Sequence, residues 1–285
     1  VDKVIALTTC YNRCSLTMRA LESLHRQILP SNIELEIYVV DDDSDDDTAL
    51  NIRSKYQDVH LISGTGELYW AGGMRYGWEN YISKLNFEYL FVFNDDIELS
   101  NDALSILLES AREVKTRFSD NLFAISGAFE YFTSNDISYG GFLRSSKWHP
   151  LRFKQASPTG RVQHIHTLNM NAALISFQAL SKVGFLSDYF YHNSADIEFG
   201  LKLIKVGGSV WLSPKVIGRC DRNTDVGTSK EEGLSAVEKI RRLISIKEQP
   251  ILQRWIFCYK HGGWFWPIIW ISPYVKICVR AIFGK

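Results

Sequence analysis

The chain has 285 residues, 46% hydrophobic and 22% charged, which suits one sizeable globular domain with an appendage and excludes a largely disordered protein. Thirty-two Lys plus Arg offset 32 Asp plus Glu, so no overall field favours nucleic acid, and none is expected as a partner. Five scattered cysteines, Cys10, Cys14, Cys220, Cys258 and Cys278, make neither an even disulfide framework nor two zinc-ligand pairs, which fits reduced thiols in a cytosolic compartment.

The opening VDKVIALTTC enters a strand with no charged leader or cleavage site, so no secretion signal is expected. Up to Phe118 the pattern predicts strand 4–9, helix 15–28, strand 36–40, helix 46–55, strand 59–63, helix 73–84, strand 88–93 and helix 101–118. Such alternation with short connections implies an α/β fold with a mainly parallel sheet. Ser100 is expected to cap the last of these helices, whose Leu104, Leu107, Leu108, Ala111 and Val114 recur on one face. Residues 123–174 read as short β pieces and loops, including SYGGFLRSSKWHP, expected as a rim over a pocket. Helices at 176–183 and 195–206 and a strand at 209–213 follow.

Beyond about residue 235 the composition changes. Residues 241–285 hold eight Lys or Arg, one acid (Glu248) and four of the eight tryptophans. WFWPIIWI is too short to span a bilayer, and Lys276 and Arg280 interrupt the next apolar stretch. A helix over 273–283 would put Lys276 and Arg280 on one face and Val275, Val279 and Ile282 on another, as an interfacial helix requires. Two readings stand: docking on a membrane surface, or a helical hairpin packed on the domain or on another subunit. The expected organisation is a domain over 1–235, with a nucleotide-binding half at 1–120 and an acceptor-binding half at 121–235, and a helical region over 236–285.

Two predicted strands end in carboxylates, VVDDDSDDDT at 39–48 and YLFVFNDDIE at 89–98. Asp41, Asp42, Asp95 and Asp96 should therefore emerge together at the carboxyl edge of the sheet, where open α/β sheets bind ligands. Clustered acids repel unless a cation compensates, which points to a divalent metal carrying a phosphorylated substrate. Ser44 and Asp45–Asp47 are read instead as the cap and negative first turn of the next helix.

LTTCYNR at 7–13, the two acidic segments, and FYHNSADIEFGLKL at 190–203 together resemble the family-2 glycosyltransferases over residues 3–215. That resemblance implies the GT-A fold, with a Rossmann-like, mainly parallel central sheet flanked by helices. It further implies inverting transfer of a sugar from a UDP- or dTDP-linked donor to an acceptor hydroxyl, with Mn²⁺ or Mg²⁺. By the same resemblance, Thr8, Thr9 and Tyr11 border the nucleobase and Asp42 accepts from its ring imide, a strong charge-assisted bond. Asn94-Asp95-Asp96 fills the Asp-x-Asp slot, with Asp96 on the metal and Asp95 on the ribose or a water. Asp196 falls at the position of the catalytic base, ionised in the first turn of a helix that Ser194 is expected to cap.

Glu198, about 200° round that helix, is named as acceptor-binding group or backup base. In GELYWAGGMRYGW at 66–78, Gly73 permits close backbone approach and Arg75 is placed on a phosphate oxygen. Ala195 replaces an acid often found before the base, Lys202 stands where Arg is common, and no downstream His completes a metal site. The basic aromatic tail suggests a lipid-linked acceptor in bacterial surface polysaccharide assembly at the inner face of the membrane. Two other classes are weighed, a sugar-nucleotide nucleotidyltransferase and a non-catalytic scaffold. The first lacks a glycine-rich loop after the first strand, and retention of Asp42, Asp95, Asp96 and Asp196 argues against the second.

Overall fold

The computed structural model describes residues 2–283. Its elements run β1 (2–10), α1 (14–25), β2 (33–41), α2 (48–55), β3 (59–63), α3 (69–77) with a π turn at 78–82, β4 (89–93), β5 (98–99) and α4 (103–117). There follow β6 (123–130), β7 (137–139), β8 (141–144), β9 (153–155), β10 (163–165), β11 (167–168), β12 (172–176), α5 (177–183), α6 (195–205), β13 (209–219), α7 (236–243), α8 (251–261) and α9 (266–283).

The central sheet has the order β10-β13-β6-β12-β4-β1-β2-β3. Its β4-β1-β2-β3 half is parallel, and β12 enters antiparallel between β4 and β6. Strand residues alternate between two apolar layers, as a sheet covered on both faces requires. Ile5, Leu7, Val40 and Val92 face the side of Met74 on α3 and Phe199 on α6. Val4, Ala6, Val39 and Phe91 face the side of Leu21 on α1 and Leu107 on α4.

Register sets the position of the site. Cys10 pairs with Asp41 and Asp41 with Ser63, so β1, β2 and β3 end level. Leu7 pairs with Val92, which brings Asp95 level with Cys10 at the same edge. The expected α/β class with a mainly parallel sheet is found here, with corrections: β6 and β12, read as short β pieces, are strands of the central sheet, and two helix caps differ. Ser100 does not cap α4. Its hydroxyl bonds Asp102, and Gln27 Oε1 accepts from Leu104 N at 2.9 Å instead. Ser194 occupies the N-cap position of α6 in the left-handed region at φ 71°, where its hydroxyl meets no backbone donor of the helix.

Residues 141–155 and 167–168 build a separate three-stranded sheet, β11-β8-β9. The C-terminal helices divide the two readings of the tail. α8 packs on the domain, with Phe257 in the main core and Lys260 Nζ on Tyr189 Oη at 3.1 Å, and just before the helix Gln249 Nε2 donates to Ser194 Oγ at 3.1 Å. α9 leaves Ile268, Ile271, Val275, Val279 and Ile282 exposed and buries only Ile269 among its described residues. It runs unbroken through Pro273, and residues 263–283 are long and apolar enough to cross a membrane by length and composition alone.

Candidate functional site

The acidic run after β2 serves two helix starts. Asp46 accepts from Thr48 N at 2.9 Å at the start of α2 and from Cys14 N at 2.9 Å at the start of α1. Asn12 ties the same loops together, donating from its N–H to Ser44 Oγ at 2.9 Å and accepting from Asp45 N at 2.8 Å. Of the five described non-glycine residues with positive φ, Asn12, Asp43 and Ser194 lie on loops around this edge and Tyr69 opens α3. Such strain persists only where neighbouring contacts over-determine the backbone, as at binding sites.

Asp42 is 3% exposed, and its carboxylate is fully engaged. Oδ1 accepts from Thr65 N at 3.1 Å and Gly66 N at 2.8 Å, and Oδ2 accepts from Leu68 N at 2.8 Å and Tyr69 N at 3.2 Å. A carboxylate has about four lone-pair positions, so none is left for a nucleobase imide. The expectation for Asp42 is corrected accordingly: it anchors the loop between β3 and α3. Gly66, at φ +86°, supplies the left-handed turn that lets this loop wrap the carboxylate.

Thr8 is fully buried and cannot border a base. Thr9 Oγ1 donates to Val40 O at 3.1 Å, and a Cβ at Gly73 would overlap that hydroxyl, so Gly73 serves helix-to-strand approach. Tyr11, 52% exposed, is the residue of this trio open to a ligand. Arg75 is not aimed at a phosphate. Its Nη1 donates to Ser187 O at 2.9 Å and Phe190 O at 2.5 Å, clamping the segment before α6 onto α3. Ala71 N adds a bond to Tyr191 O at 3.0 Å.

Asp95 and Asp96 converge on a residue whose role the sequence did not disclose. Arg13 Nη1 lies 3.3 Å from Asp95 Oδ1 and 3.1 Å from Asp96 Oδ2. Burial pushes the Asp95 carboxyl up to about 7, against the pull of Arg13 and with the help of the neighbouring Asp96 charge. Asn94 is removed from the acidic set, since its Oδ1 accepts from Trp70 Nε1 at 2.9 Å. Among the described residues, no three His, Cys, Asp or Glu side chains gather as a metal-holding group. Two carboxylate oxygens on one cation position still fit an ion such as Mg²⁺, which takes one or two carboxylates and completes its shell with water and substrate phosphates.

Asp196 sits half-buried in the first turn of α6. Its Oδ2 accepts from Asn169 Nδ2 at 3.1 Å and its Oδ1 from Ile197 N at 2.7 Å. Burial raises its carboxyl above the usual range despite these donors. Two residues after Asn169, Asn171 O accepts from Asn94 N at 2.9 Å, and Asn171 Nδ2 reaches Cys220 Sγ at 3.7 Å, itself 3.8 Å from Asp96 Oδ1. The short connection 169–171 between β11 and β12, which can span at most about 7 Å, thus joins the Asp196 side to the Asp95–Asp96 side. Burial first, and then the Arg13 and Lys247 charges, push the His192 imidazole below its ordinary value.

Glu198 does not join this group of side chains. It is 0% exposed, accepting from Tyr189 Oη at 2.7 Å and Ser187 Oγ at 2.9 Å, with Lys202 Nζ and His261 Nε2 each 3.6 Å away. Burial alone would raise this carboxyl; His261, Lys202, Tyr189 and Ser187 outweigh it and hold Glu198 below its usual range. The expectation of a backup base is corrected to a buried tie between α6 and α8. Arg13 was legible only as the end of LTTCYNR, and Asn169, Asn171 and Cys220 carried no motif at all.

No curated protein sequence matches the chain. Among solved structures, a mannosyltransferase from Pyrobaculum calidifontis, in complex with GDP-Man and Mn²⁺, superposes at TM-score 0.56 and 14% identity, covering 98% of this chain and 70% of that one. GalNAc-T7 with UDP, GalNAc and Mn²⁺ superposes at TM-score 0.62 and 12% identity, covering 91% and 50%. At such identities the likeness is one of fold, the GT-A architecture that the sequence resemblance implies. The family description Glycosyl transferase family 2 matches residues 6–184. With more than half its length inside that match, the chain belongs to glycosyltransferase family 2.

Proposed function

We propose that this glycosyltransferase moves a sugar from a nucleoside-diphosphate sugar to a hydroxyl of a glycan or lipid-linked acceptor, with inversion at the anomeric carbon. The observation that carries the reading is the pairing of a half-buried carboxylate at Asp196 with the Arg13–Asp95–Asp96 cluster, at the two ends of the 169–171 segment. Single displacement needs these two functions on opposite sides of one sugar. Asp196 takes the proton of the acceptor hydroxyl as its oxygen bonds the anomeric carbon. The bond from that carbon to the diphosphate oxygen breaks, and the departing charge is met by Arg13. A divalent ion held by Asp96, with Asp95 beside it, would add positive charge to the same leaving group.

The donor carries UDP or dTDP in this reading, with the base against the exposed Tyr11 ring and the loop that Asp42 anchors. Solved relatives of the same fold bind GDP-Man or UDP with Mn²⁺, which supports a sugar nucleotide and a divalent ion of the Mn²⁺ or Mg²⁺ kind. The α9 stripe supports a peripheral position on the inner face of the cell membrane, in synthesis of bacterial surface polysaccharide. Lys276 and Arg280 flank the stripe rather than cap its ends, which suits an interfacial helix over a spanning one. Thermal stabilisation by a panel of UDP-, dTDP- and GDP-sugars, with and without Mn²⁺, tests donor class. Stabilisation by none of them would remove the reading.

A further inference from the structure

The balanced net charge hides a strong segregation. Residues 137–187 contain Arg144, Lys147, Arg152, Lys154, Arg161 and Lys182 and no Asp or Glu, and the chain beyond Glu248 is likewise basic and free of acids. These two stretches, about a hundred residues apart in sequence, meet in space. Pro150, in the hairpin connection between β8 and β9, lies against Gly263 at the start of the last helical segment. The Trp148 ring stands 6.4 Å from that of Phe265, edge-on at 72°.

The hairpin tip is ordered by its own bonds. Ser145 N and Oγ both donate to Arg152 O, at 2.9 and 3.0 Å, Arg152 N donates to His149 O at 2.9 Å, and His149 N donates to Ser146 Oγ at 3.1 Å. Trp148 nevertheless stands 76% exposed and Trp264 98% exposed, with Arg144, Lys147 and Arg152 exposed around them. Arg144, Ser145, Ser146, Lys147 and Pro150 line a shallow hollow of about 470 Å³. Large aromatic rings held in water on a fixed turn, ringed by cations, are arranged for the boundary between headgroups and acyl chains.

We propose that the β8–β9 hairpin is a second membrane contact, which with α9 forms one basic aromatic face for an anionic lipid surface. The proposal rests on the membrane reading of α9 and extends it. Charge complementarity selects this occupant: the face offers cations and indoles with no acid among them, and anionic headgroups attract basic residues near their surface. The geometry also gives the contact a catalytic sense. β8 pairs with β11, Thr167 Oγ1 in β11 donates to Ile197 O in α6 at 2.7 Å, and Asn169 just beyond holds Asp196. Two contacts on the bilayer therefore fix the orientation of the segment that carries the base, as a lipid-linked acceptor requires.

Co-sedimentation of the full chain with phosphatidylcholine vesicles, with and without phosphatidylglycerol, tests the proposal. Each basic residue near an anionic surface contributes roughly fivefold to partitioning, so Lys147→Glu with Arg152→Glu should lower binding to anionic vesicles by at least about 25-fold. Trp148→Ala should lower binding to both vesicle types. Melting temperature and transfer to a soluble acceptor should stay unchanged in each variant. A tail variant, Trp264→Ala with Phe265→Ala and Ile268→Ala, separates the failures. If it loses binding while the hairpin variants bind as wild type, the hairpin proposal is overturned and the tail reading stands. If the wild-type protein binds neither vesicle, both fall.

Discussion

Replacing Asp42 by Asn separates a carboxylate that anchors a loop from one that reads a base. The structure gives Asp42 four backbone donors, two on each oxygen, between 2.8 and 3.2 Å. Asn keeps one acceptor oxygen and turns an NH₂ toward the other two donors, leaving two N–H groups facing a donor. Each lost charge-assisted bond contributes about 1.5–3 kcal/mol, and at the lower end two of them make a loss of about 3 kcal/mol. For a domain of this size that corresponds to a fall in melting temperature of about 6–12 °C. Urea unfolding followed by tryptophan fluorescence measures the loss, and amide exchange across residues 65–69 should accelerate. The reasoning is refuted if Asp42→Asn unfolds within about 0.5 kcal/mol of wild type and binds the donor measurably less well. In that case the carboxylate would be a base reader after all.

Asp196→Asn should retain donor binding, measured by calorimetry, while transfer falls by about 10²–10⁴-fold, the usual contribution of a general base; equal turnover would remove Asp196 from that role. Because the base must be ionised and burial raises its carboxyl, the wild-type pH–rate profile should fall on the acid side at a pH above the ordinary Asp range. Arg13→Gln removes a guanidinium that competes for the Asp95 and Asp96 oxygens, at a half-exposed site where such a contact amounts to about 1 kcal/mol. Mn²⁺ binding to the free protein, read by electron paramagnetic resonance, should therefore tighten about fivefold while turnover falls; weaker Mn²⁺ binding would mean that Arg13 only positions the acids.

The elements at the sheet edge were legible because buried parallel strands write themselves as apolar runs, as Ile37–Val40 and Leu90–Phe93 do. Their ends located Asp42, Asp95 and Asp96. What each acid bonds was not legible, because backbone donors such as Thr65 N carry no sequence signature. Arg75 illustrates the same limit: its partners, Ser187 and Phe190, lie more than a hundred residues away. Glu198 is the instructive case. Its spacing from Asp196, about 200° around a helix, shows only that the two acids point differently; the packing of α8 shows that the far side is a core rather than an acceptor site.

That packing makes Glu198 a test of whether the C-terminal helices are part of the catalytic body. The carboxylate is the meeting point of Ser187 and Tyr189 before α6, Lys202 on α6 and His261 on α8. Glu198→Gln leaves Lys202 without a counter-charge. Breaking a buried pair from one side costs about 3–5 kcal/mol, and the lower figure applies because Lys202 keeps some contact with water. The sign with pH follows from the direction of the shift: a folded-state value held below the unfolded one adds stability above the ordinary Glu range and loses it as pH falls through the folded value. Wild type should therefore lose, on acidification, a stability increment that the Gln variant lacks at every pH, while the turnover of folded Gln variant stays within about threefold, since Glu198 lies on the opposite side of α6 from Asp196. A collapse of turnover at unchanged stability would return Glu198 to the acceptor site and leave α8 a passive neighbour.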